Sequence, residues 1–570
     1  MTITPDELRR ARYMCEPAAA ILLEILRPDK RGRKTLAPII FLTGMQLSID
    51  HYNVATLTKI HRVLTRDLSR KMQWSLGVLS WNADGTVRTM TIHDLYNVSR
   101  RITKMLDFTI ARTPWLPASA RERRERRVEA LVKAILEPTL IKRPEGSRDY
   151  ALDGTGIWAS EKGSRKPLVD LSPPDHEEDL TALDISLAMQ DTCTDTDCET
   201  QPEPKRPNPG QGQRGESDAH WGAKTAKNGV REPYFGYDVQ GLVRAPALST
   251  GPKKVRTEPN LLEKLVVLPA SKDIVGPCLR LIDQMTDEGK KIESLLVDRH
   301  YSYKKYDRWL NELLKRGIDQ VCDMTEADQG FTDWDGLKMA SGFAHCPSTP
   351  NSLGNIPSLS PDASHEENRA FNAKIKERHA YAAKRINPLS LEGKVRFGCP
   401  ALNGTLGCPL RAGTVATAIE LNLPIIAEPP AEIGRPNICN QQSVQIRVVT
   451  TQQKKIMKLA QRFYWGHPNW RLSYARRTFV ESFFGVLKSP TATGYDRGSH
   501  QFTGLPMVSV VLAMAAATTN LRLLRKWDET TKLGDAEHPL LQPDKEYQGF
   551  DELTKEQADQ IDEDARNWAA

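Results

Sequence analysis

The stretch IESLLVDRHYS, residues 292–302, decides the fold class. Its centre, Leu295 to Val297, is a short and nearly continuous apolar run. Such a run marks a strand covered on both faces, as in the sheet of an α/β protein. It ends at Asp298. Before it, DIVGPCLRLIDQMTDEGKK reads as a helix and EKLVVLPAS as a strand. A further strand runs from about Tyr234 to Arg244. RDYALDGTGIWAS (148–160) reads as a strand ending in a Gly turn, with Asp153 at the switch. After it, Ser302 is placed to cap the helix YKKYDRWLNELLKR, which Gly317 closes, and DQVCDMT is another strand. The order is three strands, helix, strand, helix, strand. Asp153 ends or interrupts the first strand and Asp298 ends the fourth. Neighbouring central strands would bring the two carboxylates together; taken singly, each Asp reads more readily as a turn or capping residue.

At 570 residues the chain is long enough for two to four domains. Its formal charge of +7 is unevenly spread. Residues 1–150 hold 27 Lys and Arg against 16 Asp and Glu; residues 527–570 hold 4 against 13. A basic start predicts a polyanion partner such as double-stranded DNA, and the acidic tail is placed to shield that surface when no DNA is bound. TIHDLYNVSRRITKML and RERRERRVEALVKAILEP have helical spacing with basic faces, so residues 1–140 read as a basic helical domain. Residues 161–217 are rich in Pro, Gly, Asp and Glu without apolar periodicity and read as a disordered insertion. Residues 326–455 read as an irregular or β-rich inserted subdomain, and 528–570 as the acidic tail. The start lacks a secretory pattern, and nine Cys without one predict a reducing, cytoplasmic setting. The apolar run LPMVSVVLAMAAATTNL (505–521) reads as a buried core helix, with no membrane partner.

YARRTFVESFFGVLK, residues 474–488, reads as one amphipathic helix. At about 100° per residue, Tyr474, Arg477, Glu481 and Lys488 share a stripe about 60° wide. Phe479, Val480, Phe483, Val486 and Leu487 cover the other side, with Phe484 at its margin. A carboxylate held among cations suits a metal ion beside a phosphate chain; the plainer reading is a solvated face. Asp153, Asp298 and Glu481 converging would repel one another unless cations sat between them. Hard oxygen ligands with room for water and phosphate suit Mg²⁺ or Mn²⁺, and two such ions make a phosphoryl-transfer site.

These residues resemble the DDE transposases of cut-and-paste bacterial insertion sequences. Tyr474, Arg477, Glu481 and Lys488 fit the Tyr-Arg-Glu-Lys signature; ALDGTGI and LLVDRHYS are similar to the first and second aspartate strands. HWGAKTAKNGVREPYFGYDVQGLV resembles the stretch between them, and YDRGSHQFTGLPMVSVVLAMAAATTNLRLLRKW the closing helix. The resemblance covers roughly 145–325 and 455–527; the long insertion after Asp153 and the acidic tail depart from the pattern. It implies an RNase H-like catalytic core, a mixed sheet flanked by helices, split by the inserted subdomain and preceded by the α-helical N-terminal domain. It implies Asp153, Asp298 and Glu481 as the catalytic, metal-binding triad for two Mg²⁺ or Mn²⁺ ions, with Tyr474, Arg477 and Lys488 on DNA phosphates. Cleavage at the terminal inverted repeats and strand transfer of the freed 3′-OH would follow. Pairing two ends implies a homodimer on DNA, in the bacterial cytoplasm at the nucleoid. The rival readings are a nuclease without strand transfer and an inactive, transposase-derived DNA-binding regulator.

Other residues have two readings each. Cys346, Cys399, Cys408 and Cys439 could hold a structural Zn²⁺ or be separate reduced thiols, since no Cys-x2-Cys knuckle is present. Trp465 and Trp470 pack a core or stack on a base. His300 and Arg299 approach the metals or serve as hydrogen-bond partners.

Overall fold

A computed structural model describes residues 2–26, 36–141, 146–160, 216–225, 231–247, 257–334, 336–360, 362–387, 390, 393–429, 437–496, 498–546 and 553–568. Nearly all of the acidic insertion expected at 161–217 lies outside the described residues. The chain divides into two compact units, one of residues 1–146, 154–281 and 479–570, the other of 147–153 and 282–478.

The first unit opens with helices α1 (Pro5–Leu26), α2 (Pro38–Tyr52), α3 (Leu57–Arg62) and α4 (Arg70–Leu76). A short hairpin, β1 (Leu79–Trp81) and β2 (Val87–Thr89), follows, then α5 (Ile92–Leu106) and α6 (Ala118–Leu136). Helix α5 begins at a capping box, in which Thr91 and Asp94 satisfy each other's backbone N–H groups. It buries Leu95, Val98, Ile102 and Leu106 and leaves Arg100 and Lys104 exposed. The 505–521 run does form a core helix. It belongs to α14 (Leu505–Thr531), long and apolar enough to cross a membrane by composition, yet buried within the protein. Two of its buried polar residues, Thr518 and Asn520, are satisfied inside the protein. Thr518 accepts from Gln46 Nε2 at 2.6 Å. Asn520 accepts from the Leu262 N–H at 2.8 Å and donates to the Leu262 carbonyl at 3.0 Å and Thr139 Oγ1 at 2.8 Å. The acidic tail ends in α15 (Lys555–Trp568), where Asp562 receives both Arg70, at 2.5 Å, and the Trp74 indole N–H, at 2.8 Å.

The sheet contains β3 (Asp149–Trp158), β4 (His220–Thr225), β5 (Arg231–Arg244), β6 (Leu262–Pro269), β7 (Ser294–Val297) and β8 (Asp319–Cys322). The strands hydrogen-bond in the order β4-β5-β3-β7-β8, with β6 also on β5. Within the first unit β5 is antiparallel to β4 along 231–236 and to β6 along 237–243. Within the second, β7 runs parallel to both β3 and β8. Helix α7 (Val275–Asp287) and then α8 (Leu310–Lys315) form the crossovers that parallel pairing requires. The protein is therefore α/β, with a mixed sheet and flanking helices.

Sequence and structure differ at three places here. Strand β4 is additional; its Gly222 leaves room for the Tyr234 ring. Ser302 does not cap a helix over 303–316. It lies in a 3₁₀ turn, Arg299–Tyr303, and its hydroxyl donates to the Arg299 carbonyl, while α8 is only six residues long. Residues 474–488 are not one helix: α12 (Pro468–Tyr474), a 3₁₀ turn at Ala475–Arg477 and α13 (Thr478–Lys488) follow one another.

The rest of the second unit is β-rich. β9 (Thr332–Trp334), β10 (Leu337–Ala340) and β11 (Phe343–His345) form one small antiparallel sheet. β12 (Lys384–Arg385), β13 (Lys394–Gly398) and β14 (Ser443–Arg447) form another. Helix α9 (His365–Ala380) lies between them in sequence, and α10 (Thr414–Glu420) and α11 (Thr451–Met457) complete the segment. Leu337, Met339, Val395, Phe397, Val444 and Ile446 share its core.

Candidate active site

Register brings acidic residues to one edge of the sheet. Leu152 pairs with Val297 and Val297 with Cys322 across three parallel neighbours. The next residue on each strand path is an aspartate: Asp153, Asp298 and Asp323. Neighbouring strands lie about 4.8 Å apart, so equivalent positions stand side by side. Asp153 and Asp298 are thus brought together as expected. Asp153 lies inside β3 and does not end it. Asp298 also caps the following turn, its Oδ1 accepting from the Arg299 N–H at 2.7 Å.

Asp323 was missed from the sequence. The signal was the parallel in-register Val-Cys-Asp of β8, which copies Leu-Val-Asp of β7 only once the pairing is known. Its carboxylate receives Arg299 at 2.7 Å and the Trp465 indole N–H at 3.1 Å. Arg299 is therefore a partner of Asp323, and burial together with Lys304 lowers His300 to about 4 despite Asp298, keeping that ring neutral.

The break at 475–477 has a cause on the page. Arg476 is turned inward, with Nη2 at 2.6 Å from Asp149 Oδ2 and 3.0 Å from Ser473 Oγ, and is 8% exposed. A continuous α-helix would give that side chain another bearing. Arg477 then sits with Nη1 3.5 Å from Asp153 Oδ2 and its guanidinium over the Tyr474 ring. Tyr474 stacks on Trp470 with centroids 4.9 Å apart and planes 8° from parallel. Burial raises the Tyr474 hydroxyl above the usual phenol range; Asp323 and Asp298 add to this and Arg477 opposes it. Trp465 and Trp470 are both buried, with Trp470 donating to Gln461 Oε1 at 3.0 Å. They pack the core beneath the acidic edge.

Glu481 lies in the first unit, exposed in the first turn of α13. The buried set of α13 is Val480, Phe483, Phe484 and Leu487. Phe484 is thus core and not marginal, because Gly241 on β5 leaves space for its ring. Phe479 and Val486 are only half-buried. The Phe479 carbonyl accepts from Asn260 Nδ2 at 2.9 Å, which fixes the start of the helix. Lys488 reaches β3, donating to Thr155 Oγ1 at 2.5 Å and to the Gly156 carbonyl at 2.8 Å.

Cys346, Cys399, Cys408 and Cys439 pack into the single core of the β-rich segment. Among the described residues, no three His, Cys, Asp or Glu side chains are gathered tightly enough to hold a metal as they stand.

No family description, no curated protein and no solved structure matches this chain.

Proposed function

We propose that the chain is a DDE transposase with an RNase H-like core. The carrying observation is the placement of Asp153 and Asp298 directly after the paired residues Leu152 and Val297 of adjacent parallel strands. In open α/β sheets, ligands are bound outside the carboxyl ends of strands, where the chain order reverses. Asp298 follows the last residue of β7, and β3 is where the order turns from β5 to β7.

The donors suit hard divalent cations such as Mg²⁺ or Mn²⁺. When bound, two such ions would supply an activated attacking oxygen and a stabilised leaving oxygen. In this reading Asp153 and Asp298 are ligands, and Glu481, four residues beyond Arg477, is the third. Arg477 holds Asp153 in the free protein and turns to a DNA phosphate on binding, where its planar fork suits a phosphate pair of oxygens. Tyr474, held flat on Trp470, presents its hydroxyl to a phosphate. Lys488 exchanges Thr155 and Gly156 for the DNA backbone. The exposed basic residues of α5 and α6 bind the element ends, and a dimer brings two ends together.

The test is cleavage of duplexes bearing the DNA that flanks the gene, in Mg²⁺ or Mn²⁺, by wild type and Asp298→Ala. Metal-dependent nicking by wild type alone supports the reading; equal or absent nicking contradicts it. Precut ends with a free 3′-OH separate a transposase from a nuclease that cannot join. The Arg477–Asp153 pair favours one alternative, a DNA-binding regulator with silent chemistry, which predicts binding without cleavage.

A further inference from the structure

Two adjacent arginines reach two levels of one strand. In the turn that joins α12 to α13, Arg476 Nη2 lies 2.6 Å from Asp149 Oδ2, and Arg477 Nη1 lies 3.5 Å from Asp153 Oδ2. Asp149 opens β3 and Asp153 is four residues further on. An even offset puts both carboxylates on the same face of the strand, about 13 Å apart along it. Asp149 is also tied to the neighbouring strands. Arg462 Nη1 donates to Asp149 Oδ1 at 3.4 Å and to the hydroxyl of Ser294 on β7, the residue paired with Asp149. The Arg462 backbone N–H donates to the Gln320 carbonyl on β8 at 3.0 Å.

The turn is not what the local sequence favours. Residues 469–484 contain neither Gly nor Pro, and their spacing suits a continuous helix. Arg476 supplies the reason for the departure. Its side chain is 9% exposed and that of Asp149 is 16%, so the two charges are largely out of water and each needs the other. Ser473 Oγ accepts a second bond from the same guanidinium nitrogen, at 3.0 Å. Over residues 475–477 a 3₁₀ turn advances about 120° per residue where an α-helix advances about 100°. The accumulated difference, about 60°, separates the bearing that Arg477 has here from the one a continuous helix would give it.

We infer that Asp149 is a positioning residue: by drawing Arg476 inward it imposes the turn at 475–477 and thereby sets Arg477 against Asp153. Asp149 itself stands at the start of β3, opposite Ser294 at the start of β7, whereas Asp298 follows the end of β7. It is therefore remote from the acidic edge and acts through Arg477, not on the DNA. The use of the placement rests on the transposase reading, in which Arg477 passes from Asp153 to a DNA phosphate. The placement itself belongs to the DNA-free protein and is measured there.

The experiment is labelling of guanidinium groups with phenylglyoxal in the full-length chain without DNA, read residue by residue by mass spectrometry. Wild type should protect Arg477, whose side chain is 14% exposed and held on Asp153. Arg476→Ala leaves Asp149 with Arg462, so no buried charge is stranded, and it should raise Arg477 labelling severalfold. Asp149→Asn should do the same, and Asp149→Glu, which keeps the charge, should stay near wild type. Arg477 labelling unchanged in Arg476→Ala, or raised as much by Asp149→Glu as by Asp149→Asn, overturns the proposal. Arg476→Ala decides if Asp149→Asn fails to fold. In metal-dependent cleavage both Arg476→Ala and Asp149→Asn should slow the reaction, yet neither should slow Arg477→Ala further, because all act through one guanidinium. Additive losses would make Asp149 a structural residue only and overturn the proposal. A wild type that cleaves nothing removes the transposase reading and leaves the labelling to decide the placement.

Discussion

The strand that holds Asp153 and the short strand that Asp298 follows were legible in the sequence because the apolar pattern of each can be read without knowing its neighbours. Asp323 and the inward turn of Arg476 were not, because both depend on pairing between residues far apart: Val297 with Cys322, and Asp149 with Arg476. The uniform-helix arithmetic for 474–488 failed for the same reason. At this scale two outcomes are expected. Lys488→Ala should weaken DNA binding and reduce the slope of log affinity against log salt by about one, since one phosphate contact is lost; titrations at several salt concentrations measure it. An unchanged slope would confine Lys488 to its bonds with Thr155 and Gly156. Tyr474→Phe keeps the stack on Trp470 and removes only the hydroxyl. It should leave thermal stability nearly unchanged while slowing cleavage, and equal loss of both would make Tyr474 a packing residue.

Among the elements, strands β3, β5, β6, β7 and β8 follow the alternation of apolar run and turn that the sequence displays, whereas α8 is shorter than its pattern. Residues 303–309 carry helix-compatible side chains, yet the Asp298 cap and the Ser302 hydroxyl close a separate turn first. Helix α13 owes its place to Val480, Phe483, Phe484 and Leu487, so Phe483→Ala should cost about 3–5 kcal/mol in denaturant unfolding. A cost below 1 kcal/mol would mean that the helix is held otherwise. Helix α15 provides the pH prediction. Burial alone would raise the Asp562 carboxyl, but Arg70 and Trp74 outweigh it and lower its value below the ordinary 3.8. A lowered folded value means that the docking energy is complete above that ordinary value and is lost as the pH falls through the lowered one. Asp562→Asn should therefore flatten the acid limb of stability below about pH 4; unfolding midpoints across that range measure it, and parallel curves would contradict it.

For the molecule as a whole, charge asymmetry was visible from residue counts, and the tail's contact with the N-terminal helices gives it a structural form. Asp562 pairs with Arg70, and Asp544 with Arg10 and Arg525, cations for which the proposed DNA partner would compete. Removing 553–570 should raise affinity for DNA at low salt and have little effect at high salt, where screening removes the competition. Equal affinities in binding titrations at low salt would assign the tail to stability alone. The division between units was not legible, because it passes through β3 itself, where no composition changes.

The central claim is that Asp153, Asp298 and Glu481 hold the same divalent ions. Exchange of Fe²⁺ into the DNA-bound protein, followed by ascorbate and peroxide, cuts the backbone wherever iron is held. Cuts beside 153, 298 and 481, suppressed together by Asp298→Ala and by excess Mg²⁺, are the predicted result. Cuts near the two aspartates with none near 481, or a pattern that Asp298→Ala leaves intact, would contradict it.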